Sequence, residues 1–176
     1  MKKQQFLIVM LSIWGSFHLH AQHYFYPDTD QWNWQMKVLH YRPHCGGMAP
    51  NPEQLRNRYQ PEIDSFVLIN LTGKDTIPVQ TDSNGIVRLY LYPGQYAVRE
   101  KYKMVPFRVF YEQHYRKSDN FLKTQGIDCY KKWWKSNLTQ FEITPHTEQL
   151  RLKVVVAEGC FVGLNPCLKF IGPPPP

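Results

Sequence analysis

Apolar and polar residues alternate with period two along most of the chain, the pattern of strands with one face buried. Between 86 and 92, Ile86, Arg88, Tyr90 and Tyr92 share one face, and Val87, Leu89 and Leu91 share the other. In 150–157, Leu150, Leu152, Val154 and Val156 line up in the same way. Apolar or alternating runs at 36–41, 65–71, 77–80, 94–101 and 139–144 bring the expected number of strands to seven. Pro78 suits an edge strand, because proline donates no ladder hydrogen bond. Turn chemistry separates the runs. Asn84-Gly85 predicts a type I′ hairpin, and Pro93-Gly94 a type II turn with the glycine at positive φ. Residues 73–75 and 145–148 read as further turns. The pattern predicts an all-β chain folded as a single antiparallel β-sandwich.

One stretch departs from this pattern. Residues 102–137 hold no strand-like alternation, and a connection of that length is usually functional or carries its own structure. Aromatic residues at 110, 111, 115 and 121 suggest one or two short helices, which makes 102–137 a partly helical insertion outside the sheets. Its last part, DCYKKWWKSN, interleaves Tyr130, Trp133 and Trp134 with Lys131 and Lys132. These five residues are the candidate binding site, because rings flanked by lysines can stack on sugars or hold acidic glycans. The structural alternative is that the tryptophans plug one side of the sandwich.

The N-terminal 21 residues read as a secretory signal peptide. Lys2 and Lys3 precede an apolar stretch at 6–17, and Leu19-His20-Ala21 offers cleavage after Ala21. The apolar stretch is short for a membrane span. Cleavage leaves 22–176 as one domain, with no membrane span in the mature chain and a formal charge that falls from +7 to +5. Export to the periplasm or the extracellular space argues against nucleic acid as a partner. It favours a glycan or a cell-envelope protein.

Four cysteines in an exported chain favour two disulfides, with three possible connectivities. Cys160 and Cys167 lie close together, with Gly163 and Pro166 between them to reverse the chain, so they are expected to pair. Elimination then leaves Cys45–Cys129, while a bridge from Cys45 to a tail cysteine remains the alternative. His40, His44 and Cys45 have a spacing a metal can use, but no second cluster completes a zinc site and a bridged Cys45 is preferred. No cofactor is expected. The final prolines suit an extended polyproline II end.

The turn-strand-turn-strand segment formed by Thr81, Asp82, Gly85, Leu91, Pro93, Gly94, Tyr96 and Val98 resembles the transthyretin-like (prealbumin-like) β-sandwich family, which includes carboxypeptidase regulatory-like domains. The resemblance covers about 20 of the 176 residues. It implies a sandwich used as spacer, adhesin stalk, regulatory module or, rarely, enzyme. The stalk members would place a catalytic glutamate at Glu100 and an isopeptide amine at Lys37, but 150–157 offers no Asn or Asp to close the bond. No isopeptide is therefore expected. The related ureide hydrolases end in Tyr-Arg-Gly-Ser, whereas this chain ends in IGPPPP. No Ser-His-acid constellation is apparent either, and a site built from His40, His44, His114 or His146 has no further support. The expectation is a non-catalytic binding or interaction module.

Overall fold

The computed structural model describes residues 24–25, 32–47 and 49–173. The expected signal peptide, its cleavage point at Ala21 and the last three prolines lie outside the described residues. In chain order the elements are strand β1 (Tyr24–Phe25), strand β2 (Trp34–Tyr41), helix α1 (Pro52–Arg56), strand β3 (Tyr59–Pro61), strand β4 (Ser65–Asn70), strand β5 (Thr76–Gln80) and strand β6 (Ile86–Leu91). Strand β7 (Gly94–Glu100) follows, then a 3₁₀ turn (Lys101–Met104), helix α2 (Phe107–His114), strand β8 (Leu122–Thr124) and helix α3 (Ile127–Lys135). Strands β9 (Thr139–Ile143), β10 (Leu150–Ala157) and β11 (Leu168–Phe170) complete the series.

The chain is rich in strands, as the alternation predicts, and the strands form several sheets. One runs β1-β6-β2-β10, with β3 also paired to β2. A second runs β5-β4-β7-β9 and is antiparallel throughout. Pro78 does lie on an edge strand, β5. The inward residues of both sheets meet in one apolar cluster. Trp34, Met36, Val38, Leu89 and Leu91 come from the first sheet, and Phe66, Leu68, Ile77, Tyr96 and Val98 from the second. Phe141 bridges the layers, stacking on Trp34 at 5.4 Å and on Tyr96 at 5.6 Å between ring centroids.

Three expectations need correction. First, β10 runs parallel to β2 over its full length, from Leu150 beside Trp34 to Ala157 beside Tyr41. Alternation reveals which face a strand buries, not the direction of its neighbour, so the sequence pattern was silent on this point. Second, the Asn84-Gly85 and Pro93-Gly94 turns do not join paired strands. Each carries the chain from one sheet to the other, since β6 belongs to the first sheet and β5 and β7 to the second. Third, neither turn has the expected dihedral pattern, because Gly85 has positive φ while Asn84 and Gly94 do not. Instead, Asp82 accepts hydrogen bonds from the backbone N–H groups of Asn84 and Ile86, which closes the first turn locally. Gly85 is needed there for two reasons: its φ of 71°, and a Cβ that would come within 2.5 Å of the Val38 carbonyl oxygen.

The disulfides pair Cys45 with Cys160 and Cys129 with Cys167, at Cα separations of 5.4 and 5.6 Å. The expected Cys160–Cys167 and Cys45–Cys129 bridges are therefore incorrect. The physical reason is the parallel β2/β10 ladder. It places Tyr41 beside Ala157, and the Glu158 N–H still donates to the Tyr41 carbonyl beyond it. The chain segments that leave this ladder together carry Cys45 and Cys160 a few residues further on. Around Cys160 the chain makes a small loop closed by the Gly159 N–H to the Gly163 carbonyl, and Cys167 then emerges buried against the insertion.

Candidate functional site

The insertion is a small folded unit with its own core. In α3, Tyr130, Trp133 and Trp134 fall at i, i+3 and i+4 and so share one helical face. That face turns inward. Tyr130 is fully buried and Trp133 nearly so, packed with Phe110 of α2 and Cys167 of the tail. Trp133 meets Phe110 edge-on at 5.0 Å, and Tyr111 meets Tyr130 edge-on at 5.2 Å. Trp134 is half-buried and donates its indole N–H to the Val105 carbonyl at 2.9 Å. Asn165 donates to the Tyr130 hydroxyl oxygen and to the His114 carbonyl, fastening the tail to this cluster. The Cys129–Cys167 bridge and the β8–β11 ribbon do the same covalently and through backbone pairing, so 102–137 stays outside the two large sheets but, contrary to expectation, contributes a strand to a small sheet of its own.

The aromatic half of the expected site is therefore largely structural. The rings neither lie open for stacking nor enter the core shared by the two large sheets; they build a separate cluster. The basic half behaves differently. Lys131, Lys132 and Lys135 are exposed on the outer face of α3, and two of them stand in the last turn, where the helix dipole favours cations. Lys131 reaches Asp128 at 3.5 Å, an exposed contact of little energetic weight. Segment 102–137 holds eight Lys and Arg against three Asp and Glu, while the rest of 22–176 holds eleven of each. The insertion thus carries the whole formal excess of positive charge.

Where the insertion leaves the second sheet, a buried ion pair sits beneath it, and sequence reasoning missed it. The Lys103 ammonium lies 2.9 Å from the Glu100 carboxylate, with only 3% and 8% of these side chains exposed. Lys103 also donates to the Ser136 hydroxyl at 3.0 Å, and Ser136 donates in turn to the Trp133 carbonyl at 2.7 Å. Tyr102 donates to the same Glu100 oxygen at 3.3 Å. Burial holds the Lys103 ammonium below the usual lysine range, while Glu100 opposes that shift. Burial and the Glu100 charge push the Tyr102 hydroxyl well above the usual tyrosine range. The only hint in the sequence was the Glu-x-x-Lys spacing at a strand end. Glu100 therefore partners Lys103, and Lys37 stands exposed on the first sheet, so the two isopeptide candidates belong to different sheets.

His114 borders the same cluster, with its ring 4.6 Å from Phe110 and 5.3 Å from Trp133. Burial, followed by the charges of Arg116 and Lys103, lowers its pKa below the ordinary value of 6.5. Between the lowered and the ordinary pKa, the unfolded chain binds a proton that the folded chain resists. Stability should therefore be complete above pH 6.5 and fall as pH drops below it. A His114→Gln variant is expected to flatten the decline of the thermal midpoint between pH 7.5 and 5.5; an unchanged slope would show that His114 does not contribute.

His40, weighed as a metal ligand, sits between two carboxylates, with Nδ1 2.8 Å from Glu62 and Nε2 3.0 Å from Glu158. Cys45 is bridged and offers no thiolate. Among the described residues, no group of His, Cys, Asp and Glu is placed to hold a metal ion. Also among the described residues, no helix is long and apolar enough to cross a membrane. No family model matches this sequence, and no curated protein or solved structure matches it either.

Proposed function

We propose that this chain is an exported, non-catalytic binding module: a single transthyretin-like β-sandwich that presents its 102–137 insertion to an acidic glycan or an acidic cell-envelope partner. One observation carries the reading. The net positive charge of the chain is concentrated on a segment whose aromatic face is buried and whose lysines point outward. A disulfide and a β-ribbon hold that segment to the tail, so the charges are displayed on an ordered surface. Two disulfides suit an oxidising compartment, which supports export. The pair of sheets around one core supports the sandwich.

In this reading the lysines make the contact and the tryptophans hold the lysines in place. Replacing Lys131, Lys132 and Lys135 together by Gln is expected to weaken binding to an acidic polysaccharide about 100-fold, at roughly 1 kcal/mol per cation near an anionic surface. The thermal midpoint should be unchanged. Binding by the wild-type chain should also weaken as salt rises, because exposed charges are screened over about 10 Å at 0.1 M. Retention of full affinity by the triple variant would count against the insertion as the binding surface.

A further inference from the structure

The outer face of the first sheet carries a second cationic surface. Strands β2, β3, β6 and β10 contain no Asp or Glu, yet they contribute Lys37, Arg88, Arg151 and Lys153, all exposed. The register places these residues side by side. Gln35 stands between Arg88 on one neighbouring strand and Arg151 on the other, and one pair further along Lys37 lies beside Lys153. The two arginines are two strand spacings apart, about 10 Å, and the lysine row is about 7 Å away along the strands.

Trp32 organises the arginine row. Its ring lies 5.8 Å from the Arg88 guanidinium and 5.4 Å from that of Arg151, so one indole supports both cations. Arg88 is also steadied by donating Nε–H to Gln35 at 2.9 Å, and Arg151 by donating to Gln149 at 3.2 Å. Among the described residues, each guanidinium keeps further N–H groups for a partner. Lys153 lies over the half-exposed ring of Tyr59, at 5.9 Å. Among the described residues, no carboxylate forms an ion pair with any of the four cations.

We propose that this face binds a linear polysaccharide bearing carboxylates, laid across the strands, with Arg88 and Arg151 each gripping a carboxylate and Lys37 and Lys153 lining the same path. A guanidinium fork matches a carboxylate in two parallel hydrogen bonds, and Trp32 pre-orients both forks. The cations are spread over a flat sheet at strand spacing, which suits charges repeated along an extended chain better than one compact anion. Val155 is the one large aliphatic these strands expose, but the face also exposes the rings of Tyr59 and Tyr90, so the vesicle comparison below separates a polysaccharide from a bilayer surface. This inference does not depend on the insertion, since no residue is shared.

The test uses the whole mature chain and polygalacturonate as the probe, with dextran, phosphatidylglycerol vesicles and a single-stranded oligodeoxynucleotide as comparisons. The wild-type chain should bind polygalacturonate and not dextran. In a chain that already carries Lys131→Gln, Lys132→Gln and Lys135→Gln, Arg88→Gln with Arg151→Gln should weaken the remaining binding about 100-fold, roughly tenfold for each charge-assisted contact, without moving the thermal midpoint. Lys131→Gln, Lys132→Gln, Lys135→Gln should leave a residual binding that the arginine pair removes. Unchanged affinity in the arginine variant overturns the proposal and leaves the insertion reading standing. Loss in the arginine variant alone supports the proposal and removes the insertion reading. Tighter binding of the vesicles or the oligonucleotide than of polygalacturonate also overturns it.

Discussion

Glu100→Ala should destabilise the protein by about 3–5 kcal/mol, although Glu100 lies outside both proposed binding surfaces. The substitution leaves the Lys103 ammonium buried with, among the described residues, only the Ser136 hydroxyl and the Trp133 ring, 5.8 Å away, as partners. An uncompensated buried charge is among the most costly defects a core can hold. Removing both charges is a different matter. Glu100→Leu with Lys103→Met replaces the pair by apolar groups of similar size, and such exchanges are often neutral or stabilising. The double variant is therefore expected to be far more stable than Glu100→Ala. Chemical denaturation of the two variants and the wild type checks this; equal destabilisation by both would mean that Glu100 acts through some contact other than Lys103.

The second large effect concerns Cys45–Cys160. The bridge joins residues 115 apart in sequence, and closing a loop of that length removes denatured-state entropy worth about 4–5 kcal/mol in the chain-entropy model. Cys45→Ala with Cys160→Ala should lower stability by up to that amount. The Cys129–Cys167 loop, with a separation of 38, should contribute somewhat less. Non-reducing peptide mapping should recover Cys45 linked to Cys160. A Cys160–Cys167 peptide would contradict the parallel β2/β10 arrangement, because that ladder brings the two outer segments together.

Much of the strand content was legible because alternation is a local property. Val87, Leu89 and Leu91 point inward as their spacing says, and so do Val154 and the residues around Tyr96. The partners of each strand were not legible. Nothing local in 150–157 distinguishes a parallel neighbour from an antiparallel one; the disulfide pairing, expected from the short Cys160–Cys167 spacing and elimination, is decided instead by that long-range ladder. The Asn84-Gly85 turn shows the same limit: its residues signal a reversal, but the next strand was free to enter either sheet. In the insertion, Tyr130, Trp133 and Trp134 stand at i, i+3 and i+4, the spacing of one helical face, but helices were expected only around 110–122 and α3 was missed. Whether that face meets a ligand or a neighbouring helix depends on α2, which supplies Phe110 and Tyr111. The Trp32 cluster was least legible. It joins residues from 32 to 151, and only the sheet register unites them.

Exposed cations displayed by the insertion are proposed to meet an acidic polymer. Lysine footprinting tests this most directly. The chain is acetylated at low reagent with and without polygalacturonate, and the labelling of each lysine is measured by peptide mass. Lys131, Lys132 and Lys135 should become protected, whereas Lys74, exposed in the turn between β4 and β5 on the second sheet, should label as before. Protection of Lys74 to the same degree as Lys131, or protection of neither, would contradict the account.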